Sequence, residues 1–309
     1  MHTAYYGNVK KIIGTVLYMK KTNISTFGIV GGDKRQLFLA KSISDSCYDV
    51  ILGGFDKLQS TGELVLTDIK TAVLESDAVI FPLPSVRTDG SINTPFSDSN
   101  VILDEEEISI LKRKPVFVSM RDKFLKAYPQ LSDGRIFDYS AKEEFSILNA
   151  LPTAEGAVEC AMNKYEGTIS GSKCLVVGFG KIGKILAKIL KSLNADVTVT
   201  ARKQEDFAYI NALGYKAANT LKLSSVKGFD LVFNTVPCMI FDKSLLMNTD
   251  KYTIIIDLAS LPGGVDFESA RRFGIDAVRA LSLPGKCAPK TAGEIIKSTV
   301  FNIIEEVYR

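Results

Sequence analysis

The chain has 309 residues, 46% of them hydrophobic and 24% charged, with a net charge of +3. That length is comfortable for two domains, and so small and dispersed a charge gives no argument for nucleic acid or a membrane as partner, although a small anionic substrate fits it. Five cysteines without CxxC spacing suggest neither a disulfide framework nor a metal site, and a reducing cytoplasm is the simplest compartment. The single histidine, His2, excludes the imidazole–carboxylate pair common in 2-keto acid dehydrogenases, and Ser-His-Asp or Cys-His nucleophiles with it. Proton transfer must then use Lys, Asp, Glu, Tyr, Cys or water.

Residues 12–19 form an apolar run bracketed by lysines, too short to span a bilayer, and read as a strand or helix of an N-terminal extension. A strand is expected at 25–30, running into Gly31-Gly32-Asp33-Lys34-Arg35-Gln36 and then a helical pattern at Leu37, Ala40, Lys41 and Ile43. Further strands are expected at 50–52, 78–83, 116–119 and 136–139. A helix at 103–112 carries acids early and bases late, as the helix dipole prefers. The polar stretch 85–100, with Arg87 and Asp89, reads as a long loop, and loops of that size are usually functional or disordered. These elements predict a first flavodoxin- or Rossmann-like domain over 1–150, and Pro152 predicts the start of a crossing helix.

Residues 173–203 organise the second domain, expected over 151–293. A β-branched run at 173–177 stops at Gly178-Phe179-Gly180-Lys181-Ile182-Gly183. Apolar residues then recur at three- and four-residue spacing (Ile182, Ile185, Leu186, Ile189, Leu190, Leu193) before a second strand at 197–200. This strand–glycine turn–helix–strand order predicts that a dinucleotide's pyrophosphate lies at the helix N-terminus, with Gly178 for the tight turn, Gly180 for close backbone approach and Gly183 for helix–sheet packing. The second strand ends in Thr200, Ala201, Arg202 and Lys203, with no carboxylate before Glu205. A carboxylate there holds the ribose hydroxyls of NAD, whereas Arg202 can grip a 2′-phosphate, so the expected cofactor is NADP. Strands at 231–235, 254–258 and 278–281 follow, then a loop at 284–293 and a terminal helix at 294–308 that could pack back on the first domain. The expected class is α/β: two Rossmann-like, doubly wound parallel sheets with an interdomain cleft.

Taken together, Gly31-Gly32-Asp33-x-Arg35-Gln36, Leu151-Pro152-Thr153-Ala154-Glu155-Gly156, the glycine turn, Asp257-Leu258-Ala259-Ser260-x-Pro262-Gly263-Gly264-Val265-Asp266 and Leu283-Pro284-Gly285-Lys286-x-Ala288-Pro289-Lys290-Thr291-Ala292-Gly293 resemble the A-subunit family of dipicolinate synthase. The motifs run in the family's order from about residue 25 to the C-terminus, and the last two are the most particular. The resemblance implies an NADP-dependent oxidoreductase that aromatises dihydrodipicolinate. It would work with a second, flavoprotein-like subunit in the mother-cell cytoplasm of a sporulating bacterium, as an oligomer. It carries cofactor roles onto the glycine turn, onto Thr200, Ala201, Arg202 and Lys203, onto Thr235, Val236 and Pro237, and onto Asp257, Leu258, Ala259 and Ser260. Candidates for the substrate's carboxylates are Arg87, Lys286 and Lys290, with Arg35 and the Gly31-Gly32 amides as an alternative clamp. Lys290, Asp89 and Asp33 are the candidate bases. Thr153 either touches the nicotinamide end or caps its helix. Two other readings stay open: a non-catalytic NADP-binding protein, and another two-domain enzyme of the 2-hydroxyacid or alanine dehydrogenase type, against which the missing histidine argues.

Overall fold

The computed structural model describes residues 23–58 and 62–309, so the element expected at 12–19 lies outside the described residues. The chain forms two units, one made of the described residues up to Ser146 together with Pro289–Arg309, the other of Ile147–Ala288.

The first unit holds six parallel strands: β1 (Thr26–Val30), β2 (Asp49–Gly53), β3 (Val65–Thr67), β4 (Ala78–Ile80), β5 (Val116–Val118) and β6 (Ile136–Asp138). Their order is β3-β2-β1-β4-β5-β6. The order reverses beside β1, so the carboxyl ends of β1 and β4 flank the switch point of a Rossmann-like sheet. Strands β4 and β5 are buried at every position, which is why they read as unbroken apolar runs. Helices α1 (Lys34–Ser44), α2 (Ile69–Glu75) and α3 (Glu105–Leu111) each begin at an aspartate whose carboxylate accepts a first-turn amide: Asp33, Asp68 and Asp104. At α3 the Glu107 carboxylate returns the bond to the Asp104 amide, completing a capping box. Helix α4 (Arg121–Ala127) follows β5.

The C-terminal helix α11 (Pro289–Val307) packs on α1. A Cβ at Gly293 would overlap the Arg35 carbonyl and the Leu39 backbone, so glycine is what lets the two helices approach. Ile295, Ile296, Val300, Ile303 and Ile304 bury themselves against Phe27, Leu39 and Ile43. Each such side chain contributes about 1.5–3 kcal/mol. That outweighs the hydrogen bonds from the Lys297 ammonium to Ser42 and Ser46.

The second unit repeats the plan with β7 (Lys173–Val177), β8 (Asp196–Ala201), β9 (Lys216–Asn219), β10 (Leu231–Asn234), β11 (Ile254–Asp257) and β12 (Asp276–Arg279), in the order β12-β11-β10-β7-β8-β9, all parallel. Helices α6 (Lys181–Ser192) and α7 (Gln204–Ala212) belong to the β7–β9 half, and α8 (Lys243–Met247), α9 (Phe267–Phe273) and α10 (Leu283–Cys287) to the other. One face of the sheet packs Val176, Phe233 and Ile256 against Leu186 and Leu190 of α6. The other packs Leu175, Val232 and Ile255 against Leu245, Leu246 and Ala270. Both sheets therefore bury two faces, as doubly wound folds require.

Two local expectations are corrected, and two strands are added. Helix α5 spans Glu143–Lys164 with Pro152 inside it, rather than starting at Pro152. Proline removes one amide donor from a helix of this length without ending it. Residues 284–293 are not a loop, since α10 and the first turn of α11 take up most of them and each proline sits where a first helical turn tolerates it. The short edge strands β3 and β9 are unanticipated, being only partly buried and lacking an apolar run.

Candidate functional site

At the carboxyl edge of the second sheet, β7 turns sharply into α6. Gly178 takes φ +101°, and a Cβ on it would fall 2.6 Å from the Thr235 hydroxyl. A Cβ at Gly183 would overlap the Gly178 carbonyl oxygen, so helix and turn meet closer than any side chain allows. Gly180 differs from both. It is exposed, a Cβ there would meet nothing within 4 Å, and it caps α6 with no side-chain hydrogen bond. Among the described residues the approach to the helix N-terminus is thus left open, with the dipole and backbone donors that suit a phosphate. Phe179 turns inward, and the Lys184 ammonium sits 5.1 Å from its ring centroid. Lys181 is exposed, Ile182 half-buried.

The end of β8 is built by the Thr200 hydroxyl, which is fully buried and bonded to the Thr220 hydroxyl at 2.8 Å and to the Gly178 amide at 3.3 Å. Ala201 is buried, while Arg202 and Lys203 project from the strand end. Lys203 lies 3.7 Å from Glu205, and Arg202 has no ion-pair or hydrogen-bond partner among the described residues. A guanidinium in that setting keeps all its donors for a ligand anion.

Two buried polar residues, Asn234 and Asp257, close β10 and β11 at 0% exposure. The Asn234 amide nitrogen donates to Asp257 Oδ1 (2.8 Å) and to the Val236 carbonyl (3.1 Å), and its oxygen accepts the Val236 amide (3.2 Å). Asp257 Oδ1 also accepts the Ala259 amide (3.3 Å), and Oδ2 accepts the Gly264 amide (3.1 Å). Both carboxylate oxygens are therefore engaged, and Asp257 holds the loop that follows β11. Asn234, which sequence reading passed over as the end of an apolar strand, is its partner. Thr235 donates its hydroxyl to the Val177 carbonyl at 2.9 Å, tying β10 to the glycine turn. Around this frame Leu258 and Ala259 are buried, Val236 is half-buried, and Pro237 and Ser260 are exposed.

The first unit's candidates divide sharply. Asp33 caps α1 and receives the Arg35 guanidinium on both oxygens, each at 2.9 Å, while Arg35, 4% exposed, also donates to the Leu83 carbonyl. The Gly31 and Gly32 amides donate to the carbonyls of Gly53 and Asn93, both at 2.8 Å. The alternative clamp therefore has its donors already engaged, and Asp33 is an ion-paired cap. The 85–100 segment is ordered by bridges from Val86 to Ile92 and from Ile92 to Val101. Within it the Asp89 carboxylate accepts the Ser91 hydroxyl (2.6 Å), the Ser91 amide (3.0 Å) and the Asn100 amide (3.2 Å), while Arg87 donates to Asn100 Oδ1 (3.0 Å). These bonds, the Ser91 hydroxyl first, pull the Asp89 pKa down to about 2, and a carboxylate so stabilised is a weak base.

Lys290 stands exposed in the first turn of α11 with no ion pair among the described residues, and Lys286 is exposed in α10. The Thr153 hydroxyl donates to the Asn149 carbonyl one helical turn back (2.7 Å), so it caps nothing. Among the described residues no group of three or more His, Cys, Asp and Glu could hold a metal ion, and no helix is long and apolar enough to cross a membrane.

Comparison with known proteins matches this geometry at both sheets. Residues 26–140 match the family model for the N-terminal domain of the dipicolinate synthase A subunit. Residues 153–258 match that of the D-isomer specific 2-hydroxyacid dehydrogenase NAD binding domain. The chain is 32% identical over 286 residues to the A subunit of dipicolinate synthase from Bacillus subtilis (strain 168), covering 90% of this chain and 95% of that protein. Crystal structures of the same component of dipicolinate synthase from Bacillus subtilis (TM-score 0.77, 30% identity, 91% of this chain and 96% of that one) and from Bacillus halodurans (TM-score 0.80, 28% identity, 92% and 97%) share the fold. The second unit is accordingly a dehydrogenase-type nicotinamide-dinucleotide domain, and its Gly180 turn, with no side chain capping α6, fits the pyrophosphate of such a cofactor.

Proposed function

The chain belongs to the A-subunit family of dipicolinate synthase, and from that premise we propose that it oxidises dihydrodipicolinate to dipicolinate with NADP as hydride acceptor. The observation that carries the cofactor half is Arg202, a guanidinium without an acid partner among the described residues at the end of β8, where an NAD site places a carboxylate. Its fork can take the 2′-phosphate bidentately, while α6 receives the pyrophosphate. When bound, the nicotinamide supplies the two-electron sink that aromatisation needs.

The chain's own residues bind and orient. Asn234 and Asp257 hold the 236–238 and 258–264 backbones in place at the carboxyl edge, without reorganisation when cofactor arrives. Lys290 is the substrate-facing catalytic group, because Asp33 is committed to Arg35 and Asp89 is too weak a base. Its ammonium neutralises a carboxylate of the dianion, and driving force from aromatisation lets the ring proton leave to water while the hydride goes to the nicotinamide. The reaction belongs to a cytoplasmic oligomer with a second, flavoprotein-like subunit, in the mother cell during sporulation.

The test is to mix purified chain, NADP and dihydrodipicolinate made in place from pyruvate and aspartate semialdehyde, with and without the partner subunit. Dipicolinate formed in step with reduced NADP supports the reading. NADP binding with no dipicolinate under either condition would favour a non-catalytic nucleotide-binding role.

A further inference from the structure

Gln36 lies in the first turn of α1, three residues past the Asp33 cap and directly behind the Gly31-Gly32 turn that ends β1. It is 0% exposed, and neither its Nε2 nor its Oε1 has a hydrogen-bond partner among the described residues. A carboxamide buried in that state is costly to the fold and calls for a partner. Its surroundings sharpen the point, since the polar groups of the turn and of the β4 and β5 ends have partners of their own. Arg35 is bound to Asp33 and the Leu83 carbonyl, and the Gly31 and Gly32 amides to backbone carbonyls. The Ser119 hydroxyl donates to the Pro82 carbonyl at 2.9 Å, as does Ser85, and Tyr139 donates to the Phe81 carbonyl at 3.1 Å. The orphan therefore stands at the switch point between β1 and β4, where open α/β sheets receive ligands.

Gly32 sets the orphan against the backbone of the turn. Its φ is +96°, and any Cβ there would overlap the Gln36 carboxamide. Contact with a ligand needs the carboxamide to turn about its three side-chain torsions. We propose that this turn and the first turn of α1 form a carboxylate subsite whose specific contact is Gln36. Nε2 donates to a carboxylate oxygen of a small cyclic acid. The adjacent Arg35–Asp33 pair is neutral as a unit, so the charge is met by this amide and by the N-terminal end of the α1 dipole. The inference rests on the proposed reaction, whose substrate and product are such acids.

The experiment uses the full chain saturated with NADP, pyridine-2,6-dicarboxylate as probe, and Gln36→Met, which keeps the length and removes both polar atoms. The expected result is an unchanged or raised Tm, probe binding weakened about tenfold or more in calorimetry, and an NADP Kd within about twofold of wild type. In the wild type, the Gln36 side-chain amide signal in ¹⁵N NMR should shift when the probe is added, a readout that stands even if the variant misfolds. A probe Kd unchanged by the substitution, or an unmoved amide signal, overturns the inference and leaves Gln36 to a buried water. A wild type that binds NADP but not the probe overturns both this inference and the proposed reaction.

Discussion

The buried pair Asn234 and Asp257 gives the sharpest quantitative handle on the second unit. Asn234→Asp replaces the amide that donates to Asp257 Oδ1 at 2.8 Å with a second carboxyl at the same place, where both residues are fully buried. Two ionised carboxylates at that separation would repel by about 6 kcal/mol at an effective dielectric near 20, so the pair retains one proton instead. With that proton the introduced carboxyl still donates to Asp257, and the loops stay near their wild-type positions. A carboxyl whose folded pKa is raised contributes fully below its unfolded value, near 4, and loses that contribution as pH rises toward the folded pKa. The penalty relative to wild type should therefore grow by about 1.4 kcal/mol per pH unit, reaching about 4 kcal/mol near pH 7. Urea unfolding of both proteins across about pH 5 to 8 measures it, and NADP affinity of the variant should fall over the same window. A penalty that does not vary with pH would refute the pairing and its role in holding the 236–238 and 258–264 backbones.

Arg202→Asp should reverse or erase a preference for NADP over NAD that we expect to be about tenfold or more in the wild type, read as the ratio of the two Kd values. Lys290→Ala should abolish turnover while leaving NADP affinity nearly intact, and equal loss of both would move Lys290 into the cofactor pocket. Asp89→Asn should leave the alkaline and neutral limbs of the pH–rate profile unchanged, because that carboxyl is held at about 2 by the Ser91 and Asn100 bonds. By the same sign, those bonds support the 85–100 segment fully above about pH 4 and release it as pH falls toward 2, which acid-dependent limited proteolysis would detect.

Much of this was legible in the sequence where one physical cause acts locally. The apolar runs at 173–177 and 231–234, the glycine turn between Gly178 and Gly183, and the amphipathic spacing of α6 each announce themselves within a dozen residues. The Rossmann-like order follows from strands and helices alternating. What was hidden depends on who sits next to whom. Asp33 looks like a free acid until Arg35 is seen folded back onto both of its oxygens. The bond from Asn234 to Asp257, 23 residues later, across the parallel register of β10 and β11, is equally invisible to a local reading. Pro152 reads as a helix start because local rules count its missing donor but not the flanking turns that keep α5 intact. The orphaned amide of Gln36 has no sequence signal, since glutamine in a first helical turn is ordinarily solvated.

The central claim is that this chain passes a hydride from dihydrodipicolinate to NADP through the second unit's site. The most direct measurement is a stopped assay of the purified chain with its partner subunit, NADP and substrate made in place, scoring dipicolinate and reduced NADP together. Equal amounts of the two products are predicted, with little or none from the chain alone and none from Lys290→Ala in the complete mixture. Dipicolinate appearing without matching NADP reduction, or at the same rate with Lys290 removed, would contradict the account.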